Sequence, residues 1–175
     1  MRKVHTVALV LAGLAVLGLF AVGSWAFTAW MLAETSGAEF CDTCHTMGPV
    51  TKAYRQDPHG GKNPYGFQAK CVDCHLPHDS PTDYIFAKAK FGLMDAWAEF
   101  VGDPRALNWA GIKAHDQQYV FDSGCRHCHS RLMDATRDNP LAAKSHKLYF
   151  EGGKGLKCFD CHAGMGHAAA QKDGG

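Results

Sequence analysis

The sequence predicts a mainly α-helical fold with long loops: one N-terminal transmembrane helix, then a compact domain with little or no sheet. Three observations predict it. No Asp, Glu, Lys or Arg occurs from Val4 to Ala33. All eight cysteines fall in four Cys-x-x-Cys-His units: Cys41, Cys44 and His45; Cys71, Cys74 and His75; Cys125, Cys128 and His129; Cys158, Cys161 and His162. The chain has 175 residues, about one ordinary domain, and part of that is spent on the apolar run. Two thiols three apart add across the two vinyl groups of one haem, and the histidine that follows lies against the iron. Zinc sites and disulfides also use paired cysteines, but neither has a reason to place histidine directly after every second one. Four covalent haems in so short a domain supply much of its core, and the chain is left to wrap them in short helices and loops.

In chain order, residues 1–35 form the anchor. About 20 mostly apolar residues cross a bilayer, whereas the apolar core of a cleaved secretory signal is only about 7 to 15 residues long. The run from Val4 to Ala33 is too long for a signal, and no convincing Ala-x-Ala site precedes Cys41. Arg2 and Lys3 place the N-terminus in the cytoplasm, with Trp25 and Trp30 in the far interfacial belt. Residues 36–168 are then a periplasmic haem domain on the outer side of the inner membrane, and 169–175 a disordered tail. The formal net charge of +1, with no basic stripe interleaved with aromatics, gives no sign of nucleic-acid binding.

Eight residues separate Leu32 from Cys41, so the first haem lies within about 30 Å of the end of the span. It is the haem best placed to meet a lipid-soluble reductant. Its motif, CDTCHTM, alone carries a methionine two places after the histidine. From there Met47 cannot easily reach the opposite face of the same haem, so either it takes the iron in place of His45 or it packs on the porphyrin edge. A thioether in place of imidazole raises the reduction potential, which suits a haem that accepts electrons from a quinol.

The segment from Ser80 to Pro104 carries a helix start at Ser80 and Pro81 and a stop at Gly102 and Pro104, which predicts a helix over 81–101. Lys88 and Asp95 are two turns apart on one face, about 10 Å along the axis, too far for an intrahelical ion pair. Tyr84, Phe91, Met94 and Trp97 accompany them. Quinol oxidation releases two protons with two electrons, so a carboxylate near the accepting haem is needed as general base. The motif gaps are unequal: two shorter ones flank a longer one that holds this helix, as two dihaem halves joined by it would require.

Of 11 histidines, four sit in motifs, His5 is on the cytoplasmic end, and His127 is pinned between Cys125 and Cys128. His59, His78, His115, His146 and His167 remain, and haems 2, 3 and 4 each need a second strong ligand. His78 is tied closely to its own motif; His115 competes with the others.

One anchor, four haem motifs with Met47 after the first, and Lys88 seven before Asp95 together resemble the NapC/NirT/NrfH family of membrane-anchored tetrahaem quinol dehydrogenases. The resemblance runs to GMGH at 164–167. It implies that Met47 replaces His45 on haem 1, that the other face of that haem lies open beside Asp95, and that Lys88 and Asp95 line the quinol pocket. It further implies His75, His129 and His162 as near-side ligands, with His59, His146 and His167 completing haems 3, 4 and 2 respectively. The function implied is oxidation of menaquinol or ubiquinol from the membrane pool, with electrons passed to a periplasmic multihaem reductase. The Pro-His pair in CVDCHLPHD resembles the small subunit of cytochrome c nitrite reductase, which favours nitrite reductase as partner. Three other readings stand beside this one: a quinol dehydrogenase serving nitrate or another terminal reductase, a tethered electron carrier with no quinol site, and a haem 1 that reduces a small nitrogen or sulfur substrate itself.

Overall fold

The structure is a computed structural model that describes residues 2–103, 118–152 and 155–167. The expected tail and the competing ligand His115 lie outside the described residues, as does the side chain of His45. Among the described residues there is no strand.

Helix α1, Arg2–Glu34, is about 50 Å long at 1.5 Å per residue. Its most apolar stretch has a mean hydropathy of 2.4, and none of that stretch is buried against the rest of the chain. A helix that long, apolar and bare of protein contacts has lipid as its fitting solvent. Two residues past its end, Ser36 is buried and donates its hydroxyl to the Leu32 carbonyl.

The domain follows in short pieces. Helix α2, Ala38–Cys41, opens the first motif and ends at its first cysteine. A 3-10 turn at His45–Met47 then leads into α3, Gly48–Tyr54. The second motif is itself a helix, α4, Cys71–His75. Helix α5, Pro81–Phe100, is the expected long one. The Ser80 hydroxyl accepts from the Asp83 backbone N–H at 3.1 Å and Pro81 opens the first turn, so an orphan donor is satisfied at the point where the chain enters the helix. The third motif closes α6, Asp122–Cys128, followed by α7, Leu132–Thr136. Helix α8, Pro140–Phe150, is capped by Asn139, whose side-chain oxygen accepts from the Leu141 and Ala142 N–H groups. The fourth motif forms α9, Cys158–Cys161. CVDCH and CFDCH each hold an Asp at the third helical position, and Asp73 and Asp160 accept from the N–H of the preceding Lys70 and Lys157, both at 2.7 Å.

Three contacts set the order of the motifs in space. The thiols of Cys41 and Cys71 are within hydrogen-bonding reach, as are those of Cys125 and Cys158. Between these pairs α4 packs on α6: the Phe121 N–H donates to the Cys74 carbonyl at 3.0 Å, and a Cβ added to Gly124 would overlap the Asp73 carbonyl. The motifs therefore follow one another as first, second, third, fourth, in two close pairs joined through Gly124.

The polypeptide contributes little core of its own. Among the described residues only Ala38, Ala53, Tyr54, Ala69 and Leu76 are buried apolar side chains. Three of the five are alanines, far too little apolar area to offset the entropy of ordering a domain this size.

Candidate functional site: three histidine pairs and the Lys88–Asp95 end of the domain

Three histidine pairs stand out once the chain is folded. His59 lies 6.2 Å from His129, His75 lies 6.1 Å from His167, and His146 lies 6.1 Å from His162, ring centroid to ring centroid. Two imidazoles on opposite faces of one iron, each nitrogen about 2 Å from the metal, hold their centroids about 6 Å apart. Each pair brings one motif histidine beside one of His59, His146 and His167. The donor set and its spacing thus fit a haem between each pair. His78 makes no such pair: its ring stacks 5.2 Å from His127 and 5.4 Å from Tyr84, and its Nε2 lies 3.3 Å from the Val72 carbonyl.

No disulfide joins any of the eight cysteines, so every motif keeps both thiols free. Cys44 is the one that the structure sets apart from the rest. The second cysteines of the other three motifs, Cys74, Cys128 and Cys161, lie within helices. Cys44 does not: α2 stops at Cys41, and Cys44 has an extended backbone, φ −88° and ψ 123°, just before the His45–Met47 turn. Its N–H still donates to the Cys41 carbonyl at 3.3 Å, and its carbonyl accepts from the Met47 N–H at 3.0 Å. The cause is a competing set of polar contacts. Asp42 accepts from the Thr51 hydroxyl at 2.6 Å and from the Arg55 guanidinium at 3.1 Å, and the Thr43 hydroxyl donates to the Phe40 carbonyl at 2.6 Å. These bonds draw the chain toward α3 rather than into another helical turn. Four equivalent motifs in the sequence are therefore three helical ones and one that unwinds between its cysteines.

The surroundings bear on the protonation and orientation of the paired rings. Burial keeps both His75 and His167 toward neutral imidazole, the state that binds a metal. The His75 Nδ1 sits 2.7 Å from the Tyr119 carbonyl, which fixes the proton on Nδ1 and leaves Nε2 for the iron. Asp57 serves two pairs at once. Its Oδ1 accepts from the His59 N–H at 2.8 Å and lies 3.1 Å from the His59 Nδ1, while its Oδ2 accepts from the Gly166 N–H at 3.0 Å, next to His167. Asp122 bridges the second half in the same way, accepting from the Cys158 N–H at 3.0 Å and the Tyr149 hydroxyl at 2.7 Å. Sequence reasoning missed both carboxylates. For Asp57 a local signal exists, since Asp-Pro-His-Gly is a turn in which a carboxylate caps its own backbone; Asp122 is joined to its partners only by the fold.

The membrane end is built on α5. Lys88 Nζ donates to the Leu32 carbonyl at 3.0 Å, the Thr35 carbonyl at 3.1 Å and the Ser36 hydroxyl at 2.7 Å, all at the C-terminal end of α1. A cation there also complements the negative end of the helix dipole. Burial lowers the Lys88 pKa from its ordinary value, and burial raises that of Asp95. Both side chains act electrostatically on Cys41, and Asp95 also on His75, so this pair lies between the membrane exit and the first two motifs. Asp95 is accessible to solvent on one side while crowded on the other. One turn further on, Glu99 accepts from the Thr46 hydroxyl at 3.0 Å, which ties the His45–Met47 turn to α5. That contact spans 53 residues and had no signal in the sequence.

The chain is 31% identical over 95% of its length to the cytochrome c-type protein TorY of Haemophilus influenzae, and covers 45% of that protein. It is 31% identical to the cytochrome c-type protein NapC of Paracoccus pantotrophus, over 89% of this chain and 69% of the relative. A putative tetraheme cytochrome-c type protein of Allochromatium vinosum is 32% identical over 86% of both. The crystal structure of the cytochrome c nitrite reductase NrfHA complex bound to the HQNO inhibitor contains a chain that superposes with a TM-score of 0.55 at 28% identity, covering 89% of this chain and 88% of that one. The chain thus spans less than half of TorY but most of the tetraheme relative. Residues 1–172 match the N-terminal region of the NapC/NirT cytochrome c family, and the chain belongs to that family of electron-transfer cytochromes.

Proposed function

We propose that the chain is a quinol dehydrogenase held in the inner membrane by α1, with its N-terminus in the cytoplasm and its haem domain in the periplasm. The observation that carries this reading is the placement of Lys88 and Asp95. A lipid-soluble quinol reaching the end of α1 meets an ammonium group and a carboxylate of raised pKa beside the first motif. Lys88 donates all three of its N–H groups to oxygens at the end of α1, and it would orient the quinol oxygen by exchanging one of those partners for it. Asp95 takes a proton from the quinol hydroxyl; its raised pKa makes it a stronger base than an ordinary carboxylate when ionised. The family match and the structural likeness to the nitrite reductase complex support the same assignment.

The residues that would hold four haems c are the eight motif cysteines, through thioether bonds, and the paired histidines 75/167, 129/59 and 162/146. Cys41 and Cys44 would carry the first haem, and Met47 is assigned to its iron in place of His45. When bound, these haems supply one-electron redox chemistry, and the chain sets their order, ligation and potentials. The order of motifs through the Cys41–Cys71, α4–α6 and Cys125–Cys158 contacts gives a path away from the membrane toward a periplasmic reductase. Nitrite reductase is the favoured partner, on the Pro-His pair after the second motif and the likeness to the NrfHA complex.

Binding of a menaquinone analogue to the haem-loaded, detergent-purified protein tests this site. Lys88→Ala is expected to weaken binding about tenfold, the loss of one charged hydrogen bond, with the haem spectrum unchanged. Equal affinity in both proteins, or no binding at all, contradicts the assignment and favours a tethered carrier fed by another protein.

A further inference from the structure

Helix α5 has its apolar side turned outward. Tyr84, Lys88, Phe91 and Glu99 are partly buried on the face toward the end of α1 and the first two motifs. On the other face Phe86, Leu93, Trp97 and Phe100 are 75%, 73%, 68% and 85% exposed. These four recur at intervals of seven, four and three residues, which places them in one stripe along the helix. A soluble domain has no use for such a stripe of three aromatics and a leucine, and contiguous exposed apolar surface of this kind marks an interaction site.

Its position says what covers it. The three hydrogen bonds from Lys88 to Leu32, Thr35 and Ser36 fix the middle of α5 against the place where α1 leaves its apolar stretch. The stripe therefore lies on a helix pinned to the end of α1, on the side turned away from the rest of the domain. Of the charged residues within α5, Lys88 and Glu99 are engaged on the inner face, while Lys90 is exposed beside the stripe, one turn after Phe86, where a long lysine stem can lie along apolar surface with its ammonium among the headgroups. Aromatic side chains are favoured at the headgroup level, and a helix lying in that plane buries one apolar face while its other face stays polar.

We propose that α5 lies in the membrane interface as a second lipid contact, with Phe86, Leu93, Trp97 and Phe100 among the headgroups and the outer acyl carbons. The inference rests on α1 being a membrane anchor; it does not depend on quinol chemistry. It converts a domain on a tether into a docked one. Lys88 and Asp95 are then separated from lipid by the width of a single helix, about 10 Å.

The test uses the full-length, haem-loaded protein in vesicles of phosphatidylcholine and phosphatidylglycerol. A photoreactive diazirine amino acid is placed at Leu93 or at Phe100, with parallel labels at Leu19 in α1 and at Leu141 in α8, which is 76% exposed. The haem spectrum confirms that each labelled protein is folded. Lipid adducts at Leu93 and Phe100 are expected to approach the yield at Leu19 and to exceed that at Leu141 by at least about tenfold. Yields no higher than at Leu141, or cross-links that join two copies of the chain, overturn the proposal. Absence of adducts at Leu19 overturns the anchor reading, and this inference with it.

Discussion

Asp57 divides one carboxylate between two histidine pairs, holding His59 through Oδ1 and the backbone beside His167 through Oδ2. A carboxylate on the far nitrogen of a ligating imidazole makes the ring a better donor and stabilises the oxidised metal. Asp57→Asn keeps the shape and removes the charge, so the haem on His59/His129 should become easier to reduce, by about 60 mV for a tenfold shift in its one-electron equilibrium. Spectroelectrochemical titration reads this directly; a titration that superposes on wild type would show that Asp57 only shapes the turn. Asp95 yields a pH prediction. A base works only when deprotonated, so quinol oxidation falls as pH falls through the pKa of Asp95. Burial raises that pKa, so the acid limb should lie above the ordinary carboxylate range and vanish in Asp95→Asn. A limb that persists in the variant assigns the base elsewhere.

At the scale of elements, α5 was legible because its signals are local. Ser80, Pro81 and Gly102 announce the ends, and the seven-residue spacing of Lys88 and Asp95 puts them on one face whatever the helix packs against. The unwinding at Cys44 was not legible from its motif, because the bonds that cause it come from Thr51 and Arg55 in and after α3. Nor was the contact between α4 and α6, which depends on residues that meet only in the folded chain. Gly124 marks it: any side chain there collides with the Asp73 carbonyl, so the second and third motifs approach as closely as they do only with glycine at that position. Gly124→Ala is expected to cost about 1–3 kcal/mol, as overpacking does, and to lower the thermal midpoint of the haem-loaded protein. An unchanged midpoint would mean that the two helices are free to separate. The histidines proposed as second ligands fall between these cases. Counting reduced the choice to five, the family resemblance selected three, and the spacings of 6.1 and 6.2 Å are what the packed chain adds.

Over the whole molecule, the five buried apolar residues account for the absence of any sequence pattern for a conventional core. Hydrophobic periodicity reports on helices that bury a stripe against other helices; among the described residues the helices outside α1 and α5 are three turns at most, and most of them carry cysteine or histidine. The four motifs stated the fold class and the cofactor chemistry before any element was placed, while the order of the motifs in space emerged only from their contacts. That order runs from the anchored end of the domain toward the fourth motif, and the account depends on electrons entering at the first from a quinol whose proton Asp95 accepts. Stopped-flow reduction of the detergent-purified protein by a menaquinol analogue, wild type beside Asp95→Asn, measures that entry. The account predicts rapid reduction of wild type and reduction of the variant slower by about 10²–10⁴, the usual contribution of a general base, with the oxidised haem spectra identical. Equal and slow reduction of both proteins would contradict it and leave a membrane-tethered electron relay supplied by another protein.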